Sequence, residues 1–440
     1  MDTLISNVTV VTMNEKMEVL FGTCVGVDGG KIAYIGQTAP EQKPQTIIDG
    51  TGMVLIPGLV NCHTQLATTM LRSYLDELSS AQALTEQLKR EAKMDSRSAK
   101  AAALLGIAEC LRFGITSVSD LYYYPDATAQ AVAESGIKAN IALSAYRFID
   151  QYEDFDFDAD EQCQELVRVV EKWNGHDNGR IRIDAGIHAE YTSNYKLWEG
   201  LVGFADEKKL GFQLNLAQTQ EEVDSCLDRT GLGPAELLDC HGVFNLPVSA
   251  VGCACLSDAE RKRLGQKKAT AVVCPLTAAK KGQPATDVLV GVKAGMNVAL
   301  GTGGVHDAGN MDLFEVIRGI AMSVRANEED AAALPASAAL MMATACGARA
   351  QGRAENTGMI KVGFDADLCL VDFSAPHLMP CHNVLNALCF SAKGGDVAMT
   401  MVRGRILYQN GQFPTIDLKS VVEELTNYAI PRLFSDEETK

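Results

Sequence analysis

The sequence has 440 residues, of which 47% are hydrophobic and 22% are charged, and its formal net charge is −17. This composition is typical of a folded globular protein and excludes a disordered chain, while the acidic balance argues against nucleic acids and anionic membranes as partners. The length exceeds one domain of about 100–200 residues and favours a barrel of about 250–300 residues with a smaller second domain.

The N-terminal segment and the cysteines predict where in the cell the protein is located. The first residues lack a basic stretch followed by an apolar core, so we predict no signal peptide. Residues 331–348 carry little charge but contain Pro335, which predicts a buried helix and not a membrane span. Thirteen cysteines without paired spacing predict reduced thiols and a cytoplasmic protein.

Both ends of the chain are rich in short β-type runs. The N-terminal runs are residues 4–11, 23–27 and 31–35, and Asp28-Gly29-Gly30 predicts a hairpin turn between the last two. Similar runs occur at residues 366–372, 397–402 and 405–408. We therefore predict that residues 1–55 and 360–415 form one small β-sandwich, followed by a helical tail at residues 416–440.

The middle of the chain alternates short apolar runs with helical stretches. Residues 96–113 and 160–173 are amphipathic and are typical of helices. Eight strand-like runs occur at residues 54–60, 116–120, 139–143, 181–187, 211–216, 249–253, 271–274 and 297–301. Eight strands that alternate with helices predict a (β/α)8 barrel over residues 56–350, so the fold class is α/β.

Several segments carry a family resemblance. Residues 56–64, IPGLVNCHT, resemble the first-strand signature of the amidohydrolase superfamily, in the branch that acts on adenosine-type nucleosides, guanine and triazines. Further matches follow in the same order along the chain, at residues 106–116, 187–192, 343–350 and 363–368. The resemblance implies a metal-dependent hydrolase of C–N bonds in heterocyclic amines.

The resemblance also implies a set of metal ligands and proton-transfer groups. Two histidine ligands are expected after the first barrel strand. His63 occupies the first of these positions, but Gln65 occupies the second. The other expected positions hold neutral residues: Asn215, Gln218, Gly252 and Gly303. Neutral amides are poor zinc ligands and glycine has no side chain, so we predict no divalent metal and no other cofactor.

The remaining polar residues define a candidate pocket. His63, Gln65, His188, Asn215 and Gln218 are predicted to line the mouth of the barrel, where the active sites of such barrels lie. Arg147 could meet an anionic group or form a surface salt bridge. His306 and Asp307 could form an acid–base pair.

Cysteines near the strand ends raise a second interpretation. Cys62, Cys253, Cys255 and Cys274 could hold a metal as thiolates together with His63. Strand alternation opposes this, because an inward His63 would turn Cys62 toward the helices. We expect buried cysteines that behave as small hydrophobic residues.

These observations lead to one main hypothesis and two alternatives. The main hypothesis is a catalytically inactive, ligand-binding homologue that binds a small polar or heterocyclic molecule, as a homodimer or as the partner of an active relative. The first alternative is a hydrolase of non-peptide C–N bonds with rebuilt, metal-independent chemistry at His63, His188 or His306. The second is an ordinary metal-dependent deaminase whose site residues have been wrongly assigned.

Overall fold

The computed structural model describes residues 1–148 and 155–435. Its centre is a barrel of parallel strands that follow one another in chain order. These strands are β6 (Leu59–Gln65), β7 (Ile115–Tyr122), β8 (Lys138–Leu143), β9 (Ile181–Ala189), β10 (Phe212–Leu216), β11 (Val248–Gly252), β12 (Thr270–Val273), β13 (Asn297–Leu300) and β14 (Gly303–Gly304). The last of them, β14, pairs with the end of β6 and closes the ring.

Helices connect the barrel strands and cover their outer face. The main ones are α1 (Ser80–Glu91), α2 (Ser96–Arg112), α3 (Pro125–Ser135), α4 (Glu161–Trp173), α5 (His176–Gly179), α6 (Tyr195–Lys208), α7 (Gln220–Thr230), α8 (Pro234–Cys240), α9 (Asp258–Gln266), α10 (Pro275–Lys280), α11 (Val288–Lys293), α12 (Val305–Ala308), α13 (Leu313–Asn327), α14 (Ala336–Met342) and α15 (Ala345–Ala350). A 3₁₀ helix, Leu66–Leu71, follows β6. None of the helices that the structure describes is long and apolar enough to cross a bilayer.

Strands from both termini form a second sheet. It contains β1 (Thr3–Val11), β2 (Val19–Asp28), β3 (Lys31–Gly36), β4 (Thr46–Asp49), β5 (Met53–Pro57), β15 (Leu368–Asp372), β16 (Val397–Val402) and β17 (Arg405–Gln409). The predicted fold class, a (β/α)8 barrel with a small β-sandwich built from both termini, is thereby confirmed, and the strands from the termini form one separate sheet. The predicted hairpin is also present, since Asp28 pairs with Lys31 across Gly29 and Gly30, both with positive φ.

Short helices complete the chain after the barrel. They are α16 (Val384–Phe390), α17 (Leu418–Glu424) and α18 (Ile430–Phe434). The single buried helix expected over residues 331–348 is instead the pair α14 and α15, with Pro335 at the N-cap of α14. The predicted domain boundaries remain a prediction.

One apolar run of the sequence contributes a strand to the terminal sheet and the start of a strand to the barrel. Residues 54–60 were expected to be a single barrel strand, but β5 ends at Pro57 in the terminal sheet and β6 begins at Leu59 in the barrel. Gly58 lies between them, and a Cβ atom there would come within 2.2 Å of the Thr116 hydroxyl oxygen. The close approach of Thr116, on β7, to the backbone at Gly58 requires glycine at this point.

A buried cation links the barrel to the terminal sheet. Lys138, at the start of β8, forms ion pairs with Asp365 and Asp367 just before β15. The Lys138 side chain is 1% exposed, and its ammonium group also donates to the Thr357 hydroxyl at 3.2 Å. Three acceptors around one ammonium group compensate its loss of hydration.

Candidate active site

The predicted site residues lie at the carboxyl ends of the barrel strands. His63 and Gln65 end β6, His188 is near the end of β9, and Asn215 is near the end of β10. Gln218 lies two residues after the end of β10, and His306 lies in α12 after β14. In barrels of this kind the carboxyl ends of the strands form the mouth in which active sites are found.

Irregular strand pairing sets the direction of two histidines. The β6–β7 ladder loses its register between Asn61 and Thr64, and the β9–β10 ladder does so next to His188. An extra residue in one strand re-aims the side chains around it and reverses the alternation of faces. The histidines at the ends of β6 and β9 are therefore positioned by irregularities that strand alternation does not predict.

Cys62 contacts both a helix and the barrel strands. The alternation argument turned Cys62 toward the helices, and its thiol lies 3.7 Å from the Gly347 carbonyl oxygen of α15. It also packs with Val60, Val251, Val272 and Ala299 on the barrel strands. Burial raises the pKa of the Cys274 thiol to about 12. Among the residues that the structure describes, no group of three or more His, Cys, Asp or Glu side chains is arranged to hold a metal.

A chain of hydrogen bonds fixes the side chains of β9 and β10. The Gln218 amide donates to Asn215 Oδ1 at 3.2 Å, and Asn215 Nδ2 donates to the His188 carbonyl oxygen at 2.8 Å. His188 Nδ1 in turn lies 3.1 Å from the Thr192 hydroxyl. Both carboxylate oxygens of Glu222 accept backbone N–H groups of the loop that carries Gln218. The side-chain amides of Asn215 and Gln218 are thus held in place before any ligand binds.

Buried polar atoms at this mouth that have no hydrogen-bond partner in the described structure include His63 Nδ1, Gln65 Oε1 and His306 Nδ1. A Cβ atom on Gly304 would lie 2.6 Å from His306 Nδ1 and 2.8 Å from Gln65 Oε1, so these two atoms face the same small space. Buried polar atoms are almost always satisfied in folded proteins, and exceptions indicate a role for a ligand or water.

The histidines of the mouth favour the neutral state. Burial lowers the pKa of His63 to about 4, against an opposing effect of the Asp307 charge. Burial also lowers the pKa of His188 to about 4 and depresses the pKa of His306. Neutral imidazoles can accept as well as donate a proton, which suits transfer between water and a leaving group.

Sequence reasoning missed an acidic residue at the same mouth. Tyr122, the last residue of β7, donates its hydroxyl to Glu91 Oε1 at 2.6 Å. Glu91 Oε2 is buried without a partner in the described structure, and burial raises the pKa of this carboxyl. No local pattern distinguishes Glu91 from the other charged residues of α1, so no sequence signal was available.

The Arg147 side chain contacts Asp160 and Phe155. Its guanidinium forms an ion pair with Asp160 and lies 5.2 Å from the ring centroid of Phe155. Of the two roles considered for Arg147, the salt bridge is the one that the contacts favour. A role in binding an anionic group remains a prediction.

A family model for the amidohydrolase family matches residues 54–407. The chain belongs to the amidohydrolase family. It is 32% identical over 96% of its length to a 5-methylthioadenosine/S-adenosylhomocysteine deaminase of Thermoanaerobacter pseudethanolicus, 97% of which is covered. It is 34% identical over 96% of its length to a 5′-deoxyadenosine deaminase of Methanosarcina acetivorans, 96% of which is covered.

A solved structure agrees over the whole fold. The crystal structure of an adenosine deaminase from Xanthomonas campestris with bound zinc superposes with a TM-score of 0.91 at 28% identity. The match covers 98% of this amidohydrolase and 98% of the other chain.

These comparisons contradict two predictions. The main hypothesis of an inactive, ligand-binding homologue is wrong, because relatives that match nearly the whole chain are named as deaminases. The prediction of no metal cofactor is also wrong by comparison, because the similar adenosine deaminase contains zinc. Both predictions were based on the absence of expected ligand and proton-transfer residues. The absence of these residues does not show which reaction the other residues of the site can catalyse.

The side chains at the expected ligand positions do not fit the metal of the family. Gly303 occupies the position of an expected metal ligand, and Gly252 occupies the position of an expected proton-transfer histidine. A Cβ atom on Gly303 would lie 2.8 Å from the Thr277 hydroxyl oxygen, and one on Gly252 would lie 2.6 Å from Gln218 Cγ, so neighbouring side chains occupy the space at both positions.

Proposed function

We propose that this amidohydrolase hydrolyses a non-peptide C–N bond and removes the amino group of an adenosine-type nucleoside. The observation that carries the proposal is the set of unpartnered polar atoms at the barrel mouth, on His63, Gln65 and His306. The curated names of the relatives, deaminases of 5-methylthioadenosine and 5′-deoxyadenosine, support this choice of substrate.

The polar groups of the mouth suit an uncharged, planar ring with an amino group. The Gln65 side-chain oxygen can accept a hydrogen bond from an exocyclic amine, while the neutral imidazoles can act as donors or acceptors. In the reaction, the oxygen of water bonds to the ring carbon, one proton of the water passes to the adjacent ring nitrogen and the other to the amino nitrogen, and the C–N bond breaks to release ammonia and leave a ring carbonyl. His63 and His306 lie at the unpartnered positions from which these protons can be held and transferred.

Glu91 suits the sugar of such a substrate. Its Oε1 is committed to the Tyr122 hydroxyl, which orients the carboxylate and leaves Oε2 unpartnered. A carboxylate oxygen can accept hydrogen bonds from the hydroxyls of a ribose. The charge-assisted character of such bonds makes them stronger than bonds between neutral groups.

A direct assay tests the proposal. Purified protein is incubated with 5-methylthioadenosine, 5′-deoxyadenosine, adenosine and guanine, with and without added zinc, and ammonia release is measured. We expect turnover above about 1 s⁻¹ on at least one nucleoside, an ordinary enzyme value. The comparison with and without zinc separates metal-dependent from rebuilt chemistry. Failure of folded protein to release ammonia under either condition would refute the proposal.

Association of the subunits and location in the cell are further proposals. We retain the expectation of a homodimer and of a cytoplasmic protein. Size-exclusion chromatography with light scattering tests the first, and fractionation of the native host tests the second.

A further inference from the structure

We infer that Thr68 is a positioning residue that fixes the side chains of Gln65 and His306 in one arrangement at the barrel mouth. Thr68 lies in the 3₁₀ helix Leu66–Leu71 and is fully buried. Its effect on turnover rests on the proposed function, because Gln65 and His306 are two of the groups assigned to deamination. The arrangement of the two side chains can also be tested without turnover.

The Thr68 hydroxyl joins the two segments that carry these side chains. It donates to the Gln65 carbonyl oxygen at 2.7 Å and accepts the Val305 N–H at 3.1 Å. Gln65 ends β6, whereas Val305 is the first residue of α12 and directly precedes His306. One hydroxyl therefore connects the first strand of the barrel to the helix that follows the last strand.

The helix that carries His306 is too short to fix the direction of this side chain by itself. α12 spans four residues, and β14 before it pairs with β6 through Gly303 and Gly304. A helix of this length is not stable in water without contacts to other segments. The N–H groups of the first turn also lack partners within the helix, and the bond from Val305 to Thr68 satisfies one of them. The position of His306 therefore depends on this contact.

The backbone around Gln65 is held from a second side by Asp120. The buried Asp120 Oδ1 accepts the Leu66 N–H at 2.7 Å and the Thr64 hydroxyl at 3.0 Å. Together with the Thr68 bond to the Gln65 carbonyl oxygen, these contacts anchor three consecutive residues. Gln65 Oε1 has no partner in the described structure. The backbone is thus fixed, while the side-chain oxygen is left for a ligand.

The two side chains that Thr68 fixes meet next to Gly304. The β6–β14 ladder places Gly304 opposite Gln65. A Cβ atom on Gly304 would lie 2.8 Å from Gln65 Oε1 and 2.6 Å from His306 Nδ1, so both atoms border the same space. Groups that act together on one substrate must be held within about 0.5 Å of their working positions. A shift of α12 relative to β6 would separate the two atoms, and the Thr68 bridge opposes that shift.

Thr68→Val and Thr68→Ser test the inference. Valine has the shape of threonine but cannot bridge Gln65 and Val305, whereas serine keeps the hydroxyl. We expect Thr68→Val to lower kcat on the best nucleoside about 10–100-fold with little change in KM, and Thr68→Ser to stay within about threefold of wild type. The matched control is Thr400→Val in β16, which should leave kcat unchanged. Thr400 is also fully buried, and its hydroxyl donates to the Leu111 carbonyl oxygen at 2.7 Å.

Double-mutant cycles distinguish positioning from a general loss of stability. Gln65→Ala and His306→Ala are each combined with Thr68→Val, and kcat is measured for the four proteins of each cycle. If Thr68 acts through these side chains, Thr68→Val should cost at least about threefold less in each background than in wild type. Equal costs in all three backgrounds would overturn the inference. A loss of kcat in Thr400→Val as large as that in Thr68→Val would overturn it as well.

Crystal structures of the variants separate this inference from the proposed function. In Thr68→Val the Gln65 and His306 side chains should move by more than about 0.5 Å relative to one another, and in Thr68→Ser they should not. If wild type releases no ammonia, the proposed function fails, and this displacement alone decides the inference. Unchanged positions in Thr68→Val refute it whether or not wild type is active. Circular dichroism checks folding, and Thr68→Ala provides the same comparison if Thr68→Val does not fold.

Discussion

Asn215 donates a hydrogen bond from its side-chain amide to the carbonyl oxygen of His188 at 2.8 Å, which ties the end of β10 to the end of β9. The same Asn215 accepts from Gln218, so two neighbouring strands and the following loop depend on one side chain. In this way a neutral amide at an expected ligand position becomes a positioning group for His188.

We expect Asn215→Leu to lower the free energy of unfolding by about 1–3 kcal/mol, because the His188 carbonyl and the Gln218 amide would both lose a buried partner. Urea denaturation measures the change. The matched control is Asn386→Leu at an exposed position of α16, for which we expect a change within about 0.5 kcal/mol. Equal effects of the two substitutions would contradict the role assigned to Asn215.

Loss of the buried cation should destabilise the protein strongly. Lys138→Met leaves Asp365 and Asp367 buried without their common partner, and we expect a cost of about 3–5 kcal/mol. Lys31→Met is the matched control, since Lys31 also pairs with Asp365 but is 47% exposed, and should cost no more than about 1 kcal/mol. Unfolding curves for the three proteins provide the comparison, and a small cost for Lys138→Met would rule out the linking role.

Stability should fall as the pH is lowered from about 6.5 to about 4. His63 and His188 have folded-state pKa values of about 4 against an ordinary value of 6.5, so in this window the unfolded chain binds more protons than the folded one. Below about pH 4 both states are protonated and these residues add no further loss. Urea midpoints at several pH values should show a shallower fall in His63→Asn/His188→Asn than in His377→Asn, which alters an exposed pair with Asp396.

His63→Asn should lower kcat on the best nucleoside by about 10²–10⁴-fold, the range for loss of a proton-transfer group. The folded structure should persist, because His63 Nδ1 has no partner to lose within the described residues. Steady-state kinetics measure the loss, with His377→Asn as the control. A kcat within threefold of wild type would exclude proton transfer by His63.

Glu91→Gln should lower kcat/KM for ribosides and leave the binding of the free base unchanged. The neutral amide can still accept from Tyr122, but it loses the charge that strengthens bonds to sugar hydroxyls. We expect about a 10–100-fold loss in kcat/KM for adenosine, from the 1.5–3 kcal/mol typical of hydrogen bonds to charged groups. The affinity for adenine, measured by calorimetry, should be unchanged. An equal loss of affinity for adenine and for adenosine would show that Glu91 does not bind the sugar.

The alternation of apolar and helical segments was sufficient to determine the barrel and the terminal sheet, because each strand and helix is encoded by a local period. The hairpin at Gly29 and Gly30 was likewise predictable, since a tight turn depends on adjacent residues. The sequence also placed His63, His188 and Asn215 at the mouth, because strand ends in a parallel barrel meet at one face.

The tertiary structure alone decided the geometry of the site. The directions of the His63 and His188 side chains follow from shifts in pairing between strands, which appear only when the strands pair. Glu91 comes from a helix and reaches the mouth only through its contact with Tyr122, 31 residues along the chain. The site depends on contacts between distant residues, whereas the elements depend on neighbours, so the elements could be predicted and the arrangement of the site could not.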